Sequence, residues 1–363
     1  MKKPFFTKVI DNIKYLLKTF RESNFTITVK NDYQELKDFY LEEHQRERLN
    51  NVGFVKRTFL IVWWLLKSLF RRLTPVRQIL LVIGMVFLFS VSVTGGGDVQ
   101  VNNNSVVGAA VLLFILLLEL KDKLLAKSEL SEGRAVQSAL MPQEIPEVPG
   151  WDIWLYSMPA NDVGGDLVDY IKIDEERFAF ILADISGKGL GAALLMAKLQ
   201  SIFRALAPDY TSLPKFVSKL NSVFYRDSLK KSFASLIYLE LIAESSQIRL
   251  VNAGHLPPFI ITEHSYKELP KGQRALGLSE DVTYKEHVLD TRKDDVLFIY
   301  SDGLTEAINN EKEFFESRLN EILPTLRHLG AEEGGNWIVD AVKKYIGTAP
   351  VHDDLSLLIL KKK

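Results

Sequence analysis

Aspartates in the C-terminal half of the sequence stand where short apolar runs begin or end. Asp184, for example, directly follows the run 178–183, and Asp302 follows the run 296–300 after a single serine. The complete set is Asp166, Asp184, Asp302 and the adjacent pair Asp353 and Asp354. If the runs are strands whose ends meet, mutual repulsion raises the pKa of these carboxyl groups or opposes folding unless cations intervene. The pattern therefore predicts a site for hard divalent cations held by carboxylate oxygens.

Composition narrows the chemistry that these carboxylates could perform. The 363 residues include no Cys and six His, which excludes cysteine nucleophiles and disulfides and argues against a dedicated zinc site. An oxygen-only site selects magnesium, manganese or calcium. The 45 Lys and Arg nearly balance the 46 Asp and Glu, so the chain has no general basic field and no nucleic-acid partner is expected. For any single aspartate, the alternative is an ordinary turn cap at a strand end.

Strand-like segments separated by turns must position the aspartates. They begin at Trp151, after a stretch containing Pro142 and Pro146 that stops the preceding helix and marks a domain boundary. A helix is predicted over 191–206. We therefore expect a separate globular domain over 143–363, for which the 47% hydrophobic content supplies a core.

Six short motifs in this part of the chain occur in a fixed order. They are Arg134-Ala-Val-Gln-Ser-Ala-Leu-Met-Pro142, Val163-Gly-Gly-Asp-Leu-Val-Asp169, Ala183-Asp-Ile-Ser-Gly-Lys-Gly189, Asn252-Ala-Gly-His255, Tyr300-Ser-Asp-Gly-Leu-Thr-Glu-Ala307 and His352-Asp-Asp-Leu-Ser356. Together they resemble the SpoIIE branch of the PPM (protein phosphatase 2C-like) serine/threonine phosphatases, particularly its membrane-attached RsbU-like members, over roughly residues 130–363. The resemblance implies an α+β fold, a four-layer α-β-β-α sandwich with metals at one end between two antiparallel sheets.

The resemblance also implies a centre of two divalent cations, Mn²⁺ or Mg²⁺. The catalytic residues would be Asp166, Asp184, Asp302 and Asp353. The metal ligands would be these four together with Asp354 and the backbone carbonyl of Ile185. Asp166 and Asp184 would bridge the two cations. The choice of direct ligand between Asp353 and Asp354 stays open by one residue.

Other polar residues of the motifs are expected to act indirectly or structurally. Asp354 and Asp169 would be secondary or water-mediated contacts of the metals. No role is assigned to Lys188, since a protonated lysine is equally compatible with a solvated loop. His255 and His352 are expected to be packed, hydrogen-bonded histidines.

The implied reaction is hydrolysis of phosphoserine or phosphothreonine on a cytoplasmic protein, for which the family suggests an anti-anti-sigma (STAS-type) regulator. Two cations would lower the pKa of a shared water and hold the phosphoryl oxygens for in-line attack. The main alternative is a catalytically inactive, phosphatase-shaped signalling scaffold. A membrane-tethered nucleotide cyclase is a further alternative, although the chain has no P-loop motif.

Two apolar runs, 79–93 and 106–118, predict a transmembrane helical hairpin over 78–120. Lys and Arg residues flank the pair on its outer sides, so both ends of the chain would be cytoplasmic. A buried soluble hairpin is the alternative. We expect a protein of the cytoplasmic (inner) membrane of a bacterium, with two spans in contact with membrane lipid.

The segments on either side of this hairpin have distinct patterns. Residues 54–77 form a basic amphipathic juxtamembrane segment whose Trp63 and Trp64 would lie at headgroup level, with a third span or a cytosolic core helix as alternatives. Residues 121–142 form a helical linker, which could pair with its copy in a homodimer or connect the domains of a monomer. The N-terminal cytoplasmic region 1–53 carries no motif that indicates its function.

Overall fold

The computed structural model describes residue 49 and the ranges 53–89, 92–93, 99–100, 103–228 and 232–363. Almost all of the predicted N-terminal region 1–53 lies outside the described residues, as do 90–91 at the end of the first apolar run and 94–98 and 101–102 in the loop that follows it. The chain divides into two units between Leu124 and Leu125.

The first unit is mainly helical in its described residues. Its helices are α1 (Phe54–Arg72), α2 (Pro75–Phe89) and the first part of α3 (Asn103–Leu140). Two short antiparallel strands, β1 (Ser92–Val93) and β2 (Val99–Gln100), lie between α2 and α3. The second predicted span and the predicted linker thus form one continuous helix of 38 residues.

Helices α2 and α3 contact each other near both ends of α2. A Cβ atom added at Gly108 would lie 2.5 Å from the backbone nitrogen of Leu88, so the missing side chain permits a close approach. At the other end, the Arg77 guanidinium donates to Glu119 and Asp122 at 2.5 and 2.6 Å. These contacts produce a helical hairpin.

The described residues include apolar helices that could cross a membrane, one of which is buried in a protein core. Among the described residues, the helical segments 104–140 and 190–209 have the length and hydropathy to cross a membrane. The second contributes the fully buried Met196 and Phe203 to a protein core, which is the behaviour of a soluble helix. Helix α2 is apolar but has 15 residues, fewer than the roughly 20 that a span needs. Membrane insertion of the hairpin therefore stays a prediction.

The second unit contains two antiparallel five-stranded sheets, with strand orders β10-β7-β6-β5-β4 and β3-β12-β11-β8-β9. The strands are β3 (Trp151–Met158), β4 (Leu167–Lys172), β5 (Arg177–Ile185), β6 (Ala234–Ile242), β7 (Gln247–Ala253), β8 (Phe259–Ile261), β9 (Tyr266–Glu268), β10 (His287–Asp290), β11 (Val296–Tyr300) and β12 (Leu355–Lys362). The helices are α4 (Leu190–Leu206), α5 (Leu213–Asp227), α6 (Asp302–Thr305), α7 (Leu319–Leu326) and α8 (Ala331–Ile346), with 3₁₀ turns at Ala207–Asp209 and Phe315–Arg318.

Burial on both faces explains why the strands are almost continuously apolar. On β5, Phe180 and Leu182 pack between the sheets, whereas Ile181 and Ala183 pack with α4 and α5 on the outer side. Helices α7 and α8 cover the outer side of the second sheet in the same way. The predicted α+β sandwich of two sheets with flanking helices is confirmed.

Candidate metal centre

Asp166 and Asp184 face each other across neighbouring strands. Leu167 of β4 pairs with Ala183 of β5, so the next step along this antiparallel ladder brings Asp166 opposite Asp184. Alternate residues of β5, such as Leu182, point between the sheets, and Asp184 continues that series. The register therefore places both carboxylates at the rim of the core between the sheets.

The second sheet brings two more aspartates to the site. Strands β11 and β12 are antiparallel neighbours, with Tyr300 paired to Leu357, so the end of β11 and the start of β12 share one edge. Asp302 begins α6 two residues after β11 ends, and Asp353 lies two residues before β12 begins. The fold thus brings the four predicted catalytic aspartates together from both sheets.

These aspartates are close enough to raise one another's pKa. Burial, followed by the charge of Asp302, raises the pKa of Asp184 to about 7. Burial, followed by the charge of Asp353, raises the pKa of Asp302 to about 6. The pKa of Asp166 lies well above its usual value because of burial and then the charge of Asp184. The chain therefore concentrates negative charge in a partly buried position, which is unfavourable unless it is neutralised.

One carboxylate oxygen at this position has no hydrogen-bond partner among the residues that the structure describes. Oδ2 of Asp166 is buried without a hydrogen bond, and the whole residue is 4% exposed. Leaving such an oxygen unsatisfied costs free energy, and a bound cation would satisfy it. The donor set, carboxylates without thiolates, suits Mn²⁺ or Mg²⁺. No three acidic or histidine side chains within the described ranges already form a metal cage, so ligation would require these side chains to turn toward the ion.

Both carboxylate oxygens of Asp354 accept hydrogen bonds from backbone N–H groups. Its Oδ1 accepts from the N–H of Ala160 at 2.7 Å, and its Oδ2 accepts from the N–H of Gly165 at 2.6 Å. A Cβ atom at Gly164 would overlap this carboxylate, so glycine is required there. The second sheet thereby holds the loop that leads into β4. These bonds give Asp354 a positioning role, and the choice of direct ligand between Asp353 and Asp354 stays a prediction.

Lys188 approaches Asp353 from the loop after β5. Its Nζ donates to Oδ2 of Asp353 at 2.8 Å and to the backbone carbonyl of His352 at 2.6 Å. This ammonium partly offsets the negative charge of the site, a contact that the sequence did not predict. The side chain of His352 is exposed, so the expectation of a packed histidine at this position is wrong.

The backbone carbonyl of Ile185 lies against the loop that leads into β4. A Cβ atom at Gly165 would lie 3.0 Å from this oxygen, so glycine lets the loop pass close to it. The place of the carbonyl at the end of β5, next to Asp184, is compatible with the predicted ligand role, which stays a prediction.

Asp169 serves the fold rather than the site. It lies on β4, three residues after Asp166, and therefore faces the opposite side, toward α4. Arg204 donates to both of its carboxylate oxygens, from Nε at 2.7 Å and Nη2 at 2.6 Å, and Gln200 donates at 2.9 Å. The predicted secondary or water-mediated contact of Asp169 with metals is wrong, because Gln200 and Arg204 of α4 bind this buried carboxylate.

Gln137 of α3 is a residue whose contact with the site the sequence analysis missed. Its Nε2 donates to the carbonyl of Gly164 at 2.7 Å, and its Oε1 accepts from the N–H of the same glycine at 3.1 Å. This buried pair of bonds joins the helix to the loop that carries Asp166. The motif 134–142 was the signal available, but it did not show which side chain makes the contact.

His255 links the two sheets next to the site. Its Nδ1 lies 2.7 Å from Oγ of Ser235, and its Nε2 lies 3.0 Å from the carbonyl of Tyr300. Because a carbonyl can only accept, Nε2 carries the proton and Nδ1 accepts from the serine. Ser235 pairs with Asp184, and Tyr300 precedes Asp302 by two residues. The expectation of a packed histidine is confirmed here, and burial lowers the pKa of His255 to about 4.

Comparison with known proteins agrees with this architecture. The family described as Stage II sporulation protein E (SpoIIE) matches residues 174–363, more than half of the chain. Phosphoserine phosphatase RsbU of Bacillus subtilis is 28% identical over 240 residues, which cover 65% of this chain and 71% of RsbU. Phosphoserine phosphatase RsbP of the same organism is 29% identical over 190 residues, which cover 51% of this chain and 47% of RsbP.

Solved structures share the fold at low sequence identity. The SiaA-PP2C domain of Pseudomonas aeruginosa superposes with a TM-score of 0.59 at 18% identity, covering 67% of this chain and 99% of that domain. The PP2C phosphatase domain of SpoIIE from Bacillus subtilis, solved with a fragment of its regulatory domain, superposes with a TM-score of 0.51 at 12% identity, covering 60% and 64%. The chain therefore belongs to the SpoIIE family and carries a PP2C-type phosphatase domain.

Proposed function

We propose that this chain is a metal-dependent protein serine/threonine phosphatase centred on Asp166, Asp184, Asp302 and Asp353. The observation that carries the proposal is the partnerless, buried Oδ2 of Asp166 within a group of carboxyl groups whose pKa values are raised. Unfavourable charge of this kind is typical of a functional site rather than of a structural ion pair.

The residues of the site would divide the work of binding and orientation. Two cations would be held by Asp166, Asp184, Asp302, Asp353 and the backbone carbonyl of Ile185. When bound, the cations would neutralise the phosphoryl oxygens and activate the attacking water. The absence of Cys agrees with direct attack by water rather than by a thiolate.

Two further residues would keep the ligands in place. Asp354 fixes the loop before β4 from the second sheet, and Gln137 fixes the same loop from α3. Since ligand geometry depends on such outer contacts, weakening either would lower the affinity for metal.

The proposed substrate is phosphoserine or phosphothreonine on a cytoplasmic regulator protein. RsbU and RsbP, the relatives named above, are phosphoserine phosphatases by name, which supports the bond to be cleaved. The family resemblance suggests a STAS-type partner.

The proposed arrangement places the phosphatase domain, 143–363, on the cytoplasmic side of a bacterial inner membrane. The hairpin of α2 and α3 over 78–120 would be the anchor, and residues 121–142 would connect it to the domain. The exposed apolar side chains of both helices support this placement. A homodimer through the connecting helix is part of the same proposal.

The test uses the full-length protein in lipid nanodiscs with a serine-phosphorylated STAS protein. We expect phosphate release that requires added Mn²⁺ or Mg²⁺ and is lost in Asp184→Asn. The matched control is Asp209→Asn, which changes an exposed acid outside the site and should retain activity. Unchanged phosphate release in both Asp184→Asn and Asp302→Asn would contradict the proposal.

The inactive scaffold makes a different prediction for metal binding. It requires that calorimetric titration with Mn²⁺ shows no heat beyond that of a variant lacking both Asp166 and Asp184. The presence of all four predicted catalytic aspartates at one end of the sandwich favours the enzyme.

A further inference from the structure

Helix α1 exposes an apolar face along its length. Its members are 36–67% exposed, although they are large and hydrophobic. They are Phe59, Val62, Trp63, Leu66, Leu69 and Phe70. Their spacing of three and four residues places them on one side of the helix. An exposed apolar strip of this length on a protein surface normally has a partner.

The opposite face of α1 packs against other residues of the protein. Ile61 is 4% exposed and packs in a small core with Leu49, which is 1% exposed. Leu60, Trp64 and Leu65 pack partly against the same core. Within the described part of the chain, one face of α1 therefore packs against the protein and the other face stays exposed.

Basic side chains border the uncovered face. Lys56, Lys67 and Arg71 are exposed and follow one edge of the apolar strip. A cationic border beside an apolar face that includes tryptophan matches the boundary between acyl chains and anionic headgroups.

The position of α2 indicates what covers the exposed apolar face of α1. Helix α1 ends at Arg72 and α2 begins at Pro75, so the two are separated by two residues. The apolar side chains Ile79 and Val86 of α2 are 61% and 66% exposed. We propose that the apolar face of α1 lies in the surface of the cytoplasmic leaflet and that its basic border binds anionic lipid phosphates. This inference rests on the proposed membrane placement of α2 and α3.

Single cysteines test the proposal cleanly, because the chain has none of its own. Spin labels are placed in the full-length protein at Val62→Cys and Leu66→Cys on the apolar face and at Arg57→Cys on the other side of α1. A label at Val86→Cys on α2 reports insertion of the hairpin. The protein is studied in nanodiscs of neutral lipid and in nanodiscs containing phosphatidylglycerol, and collisions with oxygen and with a water-soluble nickel chelate are compared.

We expect the labels at positions 62, 66 and 86 to collide mainly with oxygen and the label at position 57 to collide mainly with nickel. Anionic lipid should deepen positions 62 and 66, and replacing Lys56, Lys67 and Arg71 with Gln should remove that difference. Nickel access at positions 62 and 66 with position 86 still in lipid would overturn the inference and leave the membrane anchor intact. Spin coupling between two copies at position 62 would overturn it in favour of a dimer contact. Frequent collision of the label at position 86 with the nickel chelate would contradict the proposed membrane anchor. It would also contradict the inference about α1, which rests on that anchor.

Discussion

Buried carboxylates of the phosphatase domain differ in how their charge is met, and a comparison of two kinds separates structure from function. Asp169 and Glu240 are 0% and 2% exposed, and each is paired with arginine: Arg204 binds the first, and Arg177 donates to the second at 3.2 Å. Asp166 is also buried, but its Oδ2 has no partner and its strongest charged neighbour is another acid. The protein neutralises the first kind with its own arginines, whereas under the proposed function bound metal ions would neutralise the second kind.

The largest expected effect comes from Asp184→Asn, which removes a charge from the second kind. Activity should fall on the order of 10³-fold, because several kcal/mol of charge stabilisation by metal would be lost. The stability of the metal-free protein should not fall, since the substitution relieves repulsion. Phosphate release and thermal denaturation in a chelator measure the two effects. A variant that is both active and less stable would place Asp184 with the paired acids.

The same substitution at a paired acid should have the opposite result. Asp169→Asn leaves Arg204 without its charge partner and should lower the free energy of unfolding by about 2 kcal/mol, a value reduced because the arginine is partly exposed. Affinity for Mn²⁺ should stay within about threefold of the wild type, since the carboxylate faces α4. Denaturant titration and calorimetry measure these quantities. A loss of metal affinity without a loss of stability would show that the two kinds of acid are not separate.

Part of the fold and of the site could be predicted from the spacing of residues in the sequence. The acids at strand ends and the helix over 191–206 were predictable from local apolar patterns, whereas the two-sheet sandwich was implied by the family resemblance of the ordered motifs. Asp169 of β4 lies three residues after Asp166, which directly precedes this strand, so the two side chains face opposite sides. This spacing contradicts the metal contact that the family resemblance implied for Asp169.

The pairing of these acids with distant residues was not predictable. The contact of Asp354 with Gly165 spans 189 positions, and the two bonds of Gln137 reach across 27 positions from a different helix. Local pattern sets which residues are buried, whereas the closure of the sandwich decides which amide or guanidinium each carboxylate meets. The ambiguity between Asp353 and Asp354 is of the same kind, since the two are neighbours with different contacts.

A smaller effect is expected at His255, which lies between the two sheets and contacts neither kind of acid directly. His255→Ala removes the bonds to Ser235 and Tyr300. It therefore loosens the link between β6, whose Ser235 pairs with Asp184, and the end of β11, which lies two residues before Asp302. Affinity for Mn²⁺ should fall about tenfold, as for other residues that orient metal ligands. Calorimetric titration of the metal measures the change.

Tyr238→Phe is the matched control for His255→Ala. It removes a buried hydrogen bond to Glu240 from the same strand as Ser235 but away from the site. A purely structural role of His255 predicts that both variants lose stability and keep metal affinity. His255→Gln, which can both donate and accept, should recover part of the affinity.

The smallest expected effect is the pH dependence of stability without metal. The pKa of Asp184 is about 7 in the folded chain and near 3.8 when unfolded, so the folded state binds more protons and this group destabilises the fold increasingly between about pH 4 and 7. His255 has a folded-state pKa of about 4 and an unfolded value of 6.5, so its contribution to stability falls as the pH drops below 6.5.

Both wild type and Asp184→Asn contain His255, so the difference in melting temperature between them does not include the histidine contribution. The gain in melting temperature of the variant should therefore be a few degrees at about pH 7.5 and close to zero at about pH 4. Saturating Mn²⁺ should reverse the order at the higher pH, because only the wild type keeps the full ligand set. An equal gain at both pH values would mean that the charge of Asp184 is compensated within the protein, as that of Asp169 is.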